Sequence, residues 1–233
     1  MSQRMTKIHL FGLVGLLLLL VGSYLGLFVA PPDRYMGDVQ RIMYVHLPSA
    51  WNGMLCYLFA FGFAIASIWQ HKPKWDALTV GAIEVGAVLN ALLLIQGSIW
   101  ARPTWGVWWD WDVRLTTSLI MFLLFAGVLA LRSFVEDPNQ RATWTAIATI
   151  VAFIDVPLVY FCVRWWRSLH QVQSTPDTVS SAMVMPLRLN SIAIFLLVIW
   201  MVAQRARLEM IRHQKEQVDE PARMATVGGL ENV

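Results

Sequence analysis

The chain has 233 residues, 57% of them hydrophobic and 14% charged, with a formal net charge of +3. Soluble globular chains carry about 25% charged residues, so this composition and a mean hydropathy of +0.54 exclude an ordinary soluble domain. The few basic residues form no dense cluster, which excludes a nucleic-acid-binding surface.

A helix needs about 20 apolar residues to cross a bilayer, because its backbone must satisfy its own hydrogen bonds over roughly 30 Å of hydrocarbon. Six stretches qualify: Ile8 to Ala30, Ser49 to Trp69, Leu78 to Trp100, Leu115 to Leu131, Thr143 to Val163 and Met185 to Gln204. The predicted fold class is therefore an all-α integral membrane protein with six transmembrane helices. The first stretch is longer than a signal-peptide core and lacks a small-residue cleavage site, so it reads as an uncleaved helix. Residues 1–204 make one membrane domain and residues 205–233 a polar tail.

Eleven of the 18 Lys and Arg residues fall on the side holding both termini and seven on the other. The positive-inside rule places both termini in the cytoplasm, and with them the polar tail, which faces solvent or lipid rather than nucleic acid. Cys56 and Cys162 lie inside apolar stretches and read as small buried hydrophobes. There is no CxxCH motif, so the chain is not itself a c-type cytochrome, and no phosphate-binding loop, so any energy from ATP comes from a partner.

In a six-helix serpentine the first, third and fifth loops share one face, and these loops hold the unusual residues. The first reads PPDRYMGDVQRIMYVHLPSAW and puts His46 just before the second helix, with Arg41 five residues earlier. The fifth reads RWWRSLHQVQSTPDTVSSAMVMP and puts His170 just past the fifth helix. Between them, the loop around residues 100–115 places Trp100, Trp105, Trp108, Trp109 and Trp111 within twelve residues, beside Asp110, Asp112 and Arg114.

Tryptophan at a helix end ordinarily forms an interfacial belt, at one or two residues per end. Five in one connection exceed that. If the loop is helical, Trp105, Trp108, Trp109 and Asp112 share one face at i, i+3, i+4, i+7 spacing, an aromatic shelf suited to a large flat apolar ligand. Haem fits that description: its ring edge is apolar, its propionates take arginine, and its iron takes imidazole. Alone, His46 or His170 would be a surface residue; together, flanking the shelf, they could supply both axial positions as neutral imidazoles, the other ring nitrogen held by an acceptor. Arg41 and Arg114 could meet the propionates, or else reach lipid phosphate or pair with Asp112, with Arg164, Arg167 and Arg188 as weaker candidates. His71 and His213 fall on the opposite side and read as solvent-exposed.

The segment WGVWWDWDVRLT resembles the WWD signature of haem-handling proteins, and the whole chain is similar to the CcmC family of bacterial system I cytochrome c maturation. CcmF-like and CcsA-like proteins share the signature but have longer chains and more helices. The resemblance implies that His46 and His170 ligate the iron of transiently bound haem b at the periplasmic face of the inner membrane. It implies that Trp105, Trp108, Trp109 and Trp111 hold the ring edge, Asp112 braces the loop, and Arg41 and Arg114 make polar or propionate contacts. It further implies presentation of haem to the chaperone CcmE, with CcmD and the CcmA/CcmB ABC transporter as partners.

Within the membrane, Glu84, Asn90 and Gln96 read as helix-packing groups or as a polar path, and Asp155 is a costly ionisable group expected to be functional or paired. A transporter of haem or a small solute would use discontinuous helices near the midplane, at which Pro157, Pro186, Glu84 and Asp155 hint. A b-type electron-transfer cytochrome would project its histidines from within helices, whereas here both are expected in loops. No enzymatic turnover is expected of the isolated chain.

Overall fold

The computed structural model describes residues 2–170 and 179–230. Residues 171–178 of the fifth loop and 231–233 of the tail lie outside the described residues. Seven α-helices follow in order: α1 Ser2–Tyr24, α2 Met43–Gln70, α3 Pro73–Trp105, α4 Val113–Phe134, α5 Pro138–Ala152, α6 Asp155–Trp165 and α7 Ser181–Leu230. Among the described residues no strand forms, and six spans are long and apolar enough to cross a membrane, the fifth built from α5 and α6 together. The chain is a multi-pass all-α membrane protein.

The fifth span differs from the single helix expected over Thr143 to Val163. Pro157 has no N–H to give and its ring excludes a helical carbonyl four residues back, at Phe153. The chain turns at Phe153 and Ile154 instead, where Ile154 N–H donates to Val151 O at 3.2 Å and Val156 N–H to Phe153 O at 3.0 Å. Asp155 opens α6 there, buried, and its Oδ2 has no hydrogen-bond partner among the described residues. Glu84 instead pairs with Arg205 of α7, and Asn90 donates to Ser118 O at 3.3 Å across α3 and α4. Both knit helices together.

The second span starts earlier than expected, because a 3₁₀ turn over Asp38–Ile42 runs directly into α2. Pro48 inside α2 leaves the Tyr44 carbonyl without its helical donor; Asn190 of α7 supplies one, Nδ2 to Tyr44 O at 2.8 Å. Gly22 of α1 makes room for this Asn190 side chain: a Cβ there would stand 2.2 Å from Asn190 Oδ1. An unpaired carbonyl in hydrocarbon costs several kcal/mol, so this one contact joins α1, α2 and α7 at the end of the bundle nearest His46.

The core centres on Tyr57 of α2 stacked on Phe125 of α4, ring centroids 3.7 Å apart, with Ile83, Met121, Val156 and Val159 around them. α1 lies along α7, α3 touches α2, α4 and α7, and α6 packs on α4. Cys56 and Cys162 are buried and unbonded to one another.

Candidate functional site

Four elements converge at the end of the bundle opposite the termini. His46 stands on the first turn of α2 rather than in a loop, because the 3₁₀ turn carries the helix back past Pro48. His170 lies beyond α6 in the connection to α7. Both line one cavity of about 290 Å³, whose other walls are Leu47 and Met54 of α2, Trp100 and Trp105 of α3, Arg114, Leu115 and Met121 of α4, and Val159 of α6. Each imidazole meets a tryptophan of α3 edge-on: His46 against Trp100 at 5.4 Å and His170 against Trp105 at 4.9 Å between ring centres.

The tryptophan loop does not meet the condition for a shared helical face. Gly106 takes a left-handed conformation, φ 82°, and its N–H donates to Arg102 O, which ends α3 at Trp105. Residues 106–112 are not helical, so Trp105, Trp108, Trp109 and Asp112 do not form one face. Trp105 faces the cavity, whereas Trp108 and Trp111 are 60% and 73% exposed. Trp109 is half-buried, packed edge-to-face on Trp111 at 5.7 Å, with its indole N–H enclosed and unpartnered.

Asp112 holds the site together. It caps α4 by accepting from Arg114 N–H at 2.9 Å, and the same carboxylate accepts from Leu169 N–H at 2.7 Å, the Ser168 hydroxyl at 3.0 Å and His170 Nδ1 at 3.0 Å. Burial alone would raise the Asp112 carboxyl, but the hydrogen bonds from Leu169, Ser168 and Arg114, with His170 close by, hold it below the usual carboxylate range. An ionised carboxylate only accepts, so Nδ1 of His170 carries the proton and Nε2 is left with a free lone pair. Burial lowers the His170 pKa, an effect opposed in part by Asp112 and reinforced by Arg114. The ring is thus neutral at pH 7 and able to bind a metal. Sequence reasoning found Asp112 and His170 separately but missed Ser168, whose only signal is its place two residues before the histidine.

Arg114 borders the same cavity with Nε and Nη2 enclosed and no hydrogen-bond partner among the described residues. A guanidinium so placed is a ready partner for an anionic ligand group. Arg41 is used elsewhere. The first span ends in a π-helical turn over Leu25–Val29, and Arg41 Nη1 donates to its carbonyls, Gly26 O at 2.7 Å and Ala30 O at 3.1 Å, while Nε pairs with Asp38 at 2.8 Å. Arg41 therefore does not line the histidine cavity.

A family model described as Heme exporter protein C matches residues 1–220. The chain is 37% identical over 213 residues to the Heme exporter protein C of Haemophilus influenzae, covering 89% of this chain and 86% of that protein. It is 36% identical over 220 residues to the Heme exporter protein C of Bradyrhizobium diazoefficiens, covering 90% and 81%. A putative cytochrome c biosynthesis ccmC-like mitochondrial protein of Marchantia polymorpha is 32% identical over 177 residues, 75% of each chain. The chain belongs to the Heme exporter protein C family. The match takes in all six spans, so every residue lining the histidine cavity lies within the Heme exporter protein C region.

The other end of the bundle carries a buried ionic network that sequence reasoning missed. Arg132 of α4 donates to Asp76 of α3 at 2.8 and 2.7 Å, to Thr145 of α5 at 3.0 Å and to Glu209 of α7 at 2.5 Å. His213 was expected to be solvent-exposed, but it is buried at 8% exposure and meets Asp76 at 2.8 Å. Arg141 and Arg212 extend the network through Glu216 at 2.5 and 3.1 Å. His71 is exposed, as expected.

Proposed function

We propose that the chain holds haem between His46 and His170 and presents it, at the periplasmic face of a bacterial inner membrane, to a haem chaperone for c-type cytochrome biogenesis. The observation that carries this reading is the convergence of two histidines from distant segments on one apolar cavity, with the free edge of the Arg114 guanidinium beside it. The residues present fit haem: imidazole for iron, indoles for the ring edge and an unpaired cation for a propionate. Bound haem would supply an iron with both axial positions open to imidazole. His170 offers Nε2, Trp100 and Trp105 wall the ring, and Arg114 takes an acidic substituent. The cavity sits near the lower end of ligand pockets, about 300 Å³, so a ligand the size of haem would extend beyond it.

CcmE as receiver, CcmD as a small companion and the CcmA/CcmB transporter as associated machinery belong to the same proposal, and the partner-facing surface would be the Trp108 and Trp111 ridge. Family membership supports a role in haem handling; the relatives' description as exporters is the basis for a second reading in which haem crosses the bundle. One structural observation favours that second reading, the broken fifth span with Asp155 unpartnered on one oxygen at the break. A transport site there would not need the two histidines.

Titration of haem into the detergent-purified chain tests the choice. His46→Ala and His170→Ala are each expected to lose the six-coordinate visible spectrum, while His71→Ala, at the far end, keeps it. Haem uptake that is equal in all three variants would favour a site at the broken span.

A further inference from the structure

Binding iron through Nε2 demands different things of the two histidines, a comparison that rests on the haem reading above. At His170 the Nδ1 proton already has an acceptor, Asp112 Oδ1 at 3.0 Å, and that carboxylate is fixed by three further donors. A carboxylate on the far nitrogen fixes the ring and strengthens the near nitrogen as a ligand. At His46 the Nδ1 is enclosed with no hydrogen-bond partner among the described residues. Trp100 stands edge-on to that ring, and Gly97 is so close that even a Cβ there would reach Cε1 at 3.4 Å. Coordination by His46 Nε2 therefore leaves a buried N–H donor without an acceptor, an arrangement proteins avoid because the donor has given up its water for nothing.

We infer that the two axial ligands are unequal: His170, positioned by Asp112, is the ligand that is kept, and His46 is the ligand that exchanges when haem is handed on. Asp112 acts through His170 and is a positioning residue. The step is a ligand substitution. The bond between His46 Nε2 and iron breaks, a nitrogen or oxygen donor of the receiving protein takes the vacated position, and the iron keeps its oxidation state. The receiver consequently approaches from the α2 side of the cavity and needs one strong donor.

The test uses the full chain in detergent, loaded with ferric haem and mixed with excess apomyoglobin as a scavenger, with haem loss followed by its visible spectrum. His46→Gly is expected to retain haem within a few-fold of the wild-type rate, five-coordinate, and to become six-coordinate on addition of imidazole. Asp112→Asn is expected to lose haem about 10–100-fold faster, the usual effect of removing the hydrogen-bond partner of a metal ligand, and His170→Gly, which removes the ligand itself, at least as fast. The effect of Asp112→Asn should vanish in the His170→Gly background supplied with imidazole, which simple loop distortion would not produce. Asp112→Asn preserves side-chain shape, so the comparison with His46→Gly stands even where His170→Gly folds poorly. Equal loss rates for His46→Gly and Asp112→Asn, or an Asp112→Asn effect that persists without His170, would overturn the inequality. A wild-type chain that takes up no haem would instead overturn the haem reading beneath it.

Discussion

Replacing Arg132 with alanine is expected to destabilise the bundle by about 3–5 kcal/mol, the usual result of removing one partner from a buried ion pair. The guanidinium joins carboxylates from α3 and α7 and the Thr145 hydroxyl of α5, and both carboxylates are buried with it. Without it, Asp76 and Glu209 face each other with His213, the half-exposed Arg212 and Arg205 as the neighbouring basic groups among the described residues. The measurement is the thermal unfolding midpoint of the detergent-purified variant. Adding Asp76→Asn and Glu209→Gln to Arg132→Ala is expected to recover part of the loss, because the stranded charges go with it. A single variant that melts like wild type would show that the network contributes nothing to stability. Since these residues lie at the end remote from His46 and His170, the folded fraction should keep its haem spectrum.

The second large effect is expected from Trp108→Ala combined with Trp111→Ala. Both rings are 60% and 73% exposed, in the non-helical loop that follows the cavity-lining Trp105. Aromatic anchors of a protein interface are worth about 2 kcal/mol or more each, so transfer of haem to the proposed chaperone should slow by roughly 30-fold for each ring removed. Haem binding itself should persist, because Trp100 and Trp105, not these two, line the cavity. Transfer at the wild-type rate would reduce Trp108 and Trp111 to membrane-interface residues.

The membrane architecture was legible because each span is a long apolar run that no other structure explains. The site was legible in part. The parity of the loops was enough to put His46, His170 and the tryptophans at one end, and their chemistry suggested the ligand. The shared tryptophan face depended on the loop being helical, and that condition fails because Gly106 ends α3 at Trp105. His46 reads into a loop because the apolar run begins at Ser49, whereas the helix reaches back to Met43, where Asn190, 146 positions after Tyr44, donates to the Tyr44 carbonyl that Pro48 leaves without a helical donor. The ionic network was invisible for a similar reason. Asp76, Arg132, Glu209 and His213 each sit near a span end, where a charge is ordinarily explained by water or headgroups, and only the packed bundle brings them into contact.

The most direct test of the account is the electron paramagnetic resonance spectrum of the ferric haem-loaded chain. Two imidazole ligands give a low-spin signal in the wild-type chain, converting to high spin in His46→Ala. A high-spin signal in the wild type, or a low-spin signal unchanged when His46 and His170 are both replaced, would contradict the assignment of this cavity as a bis-histidine haem site.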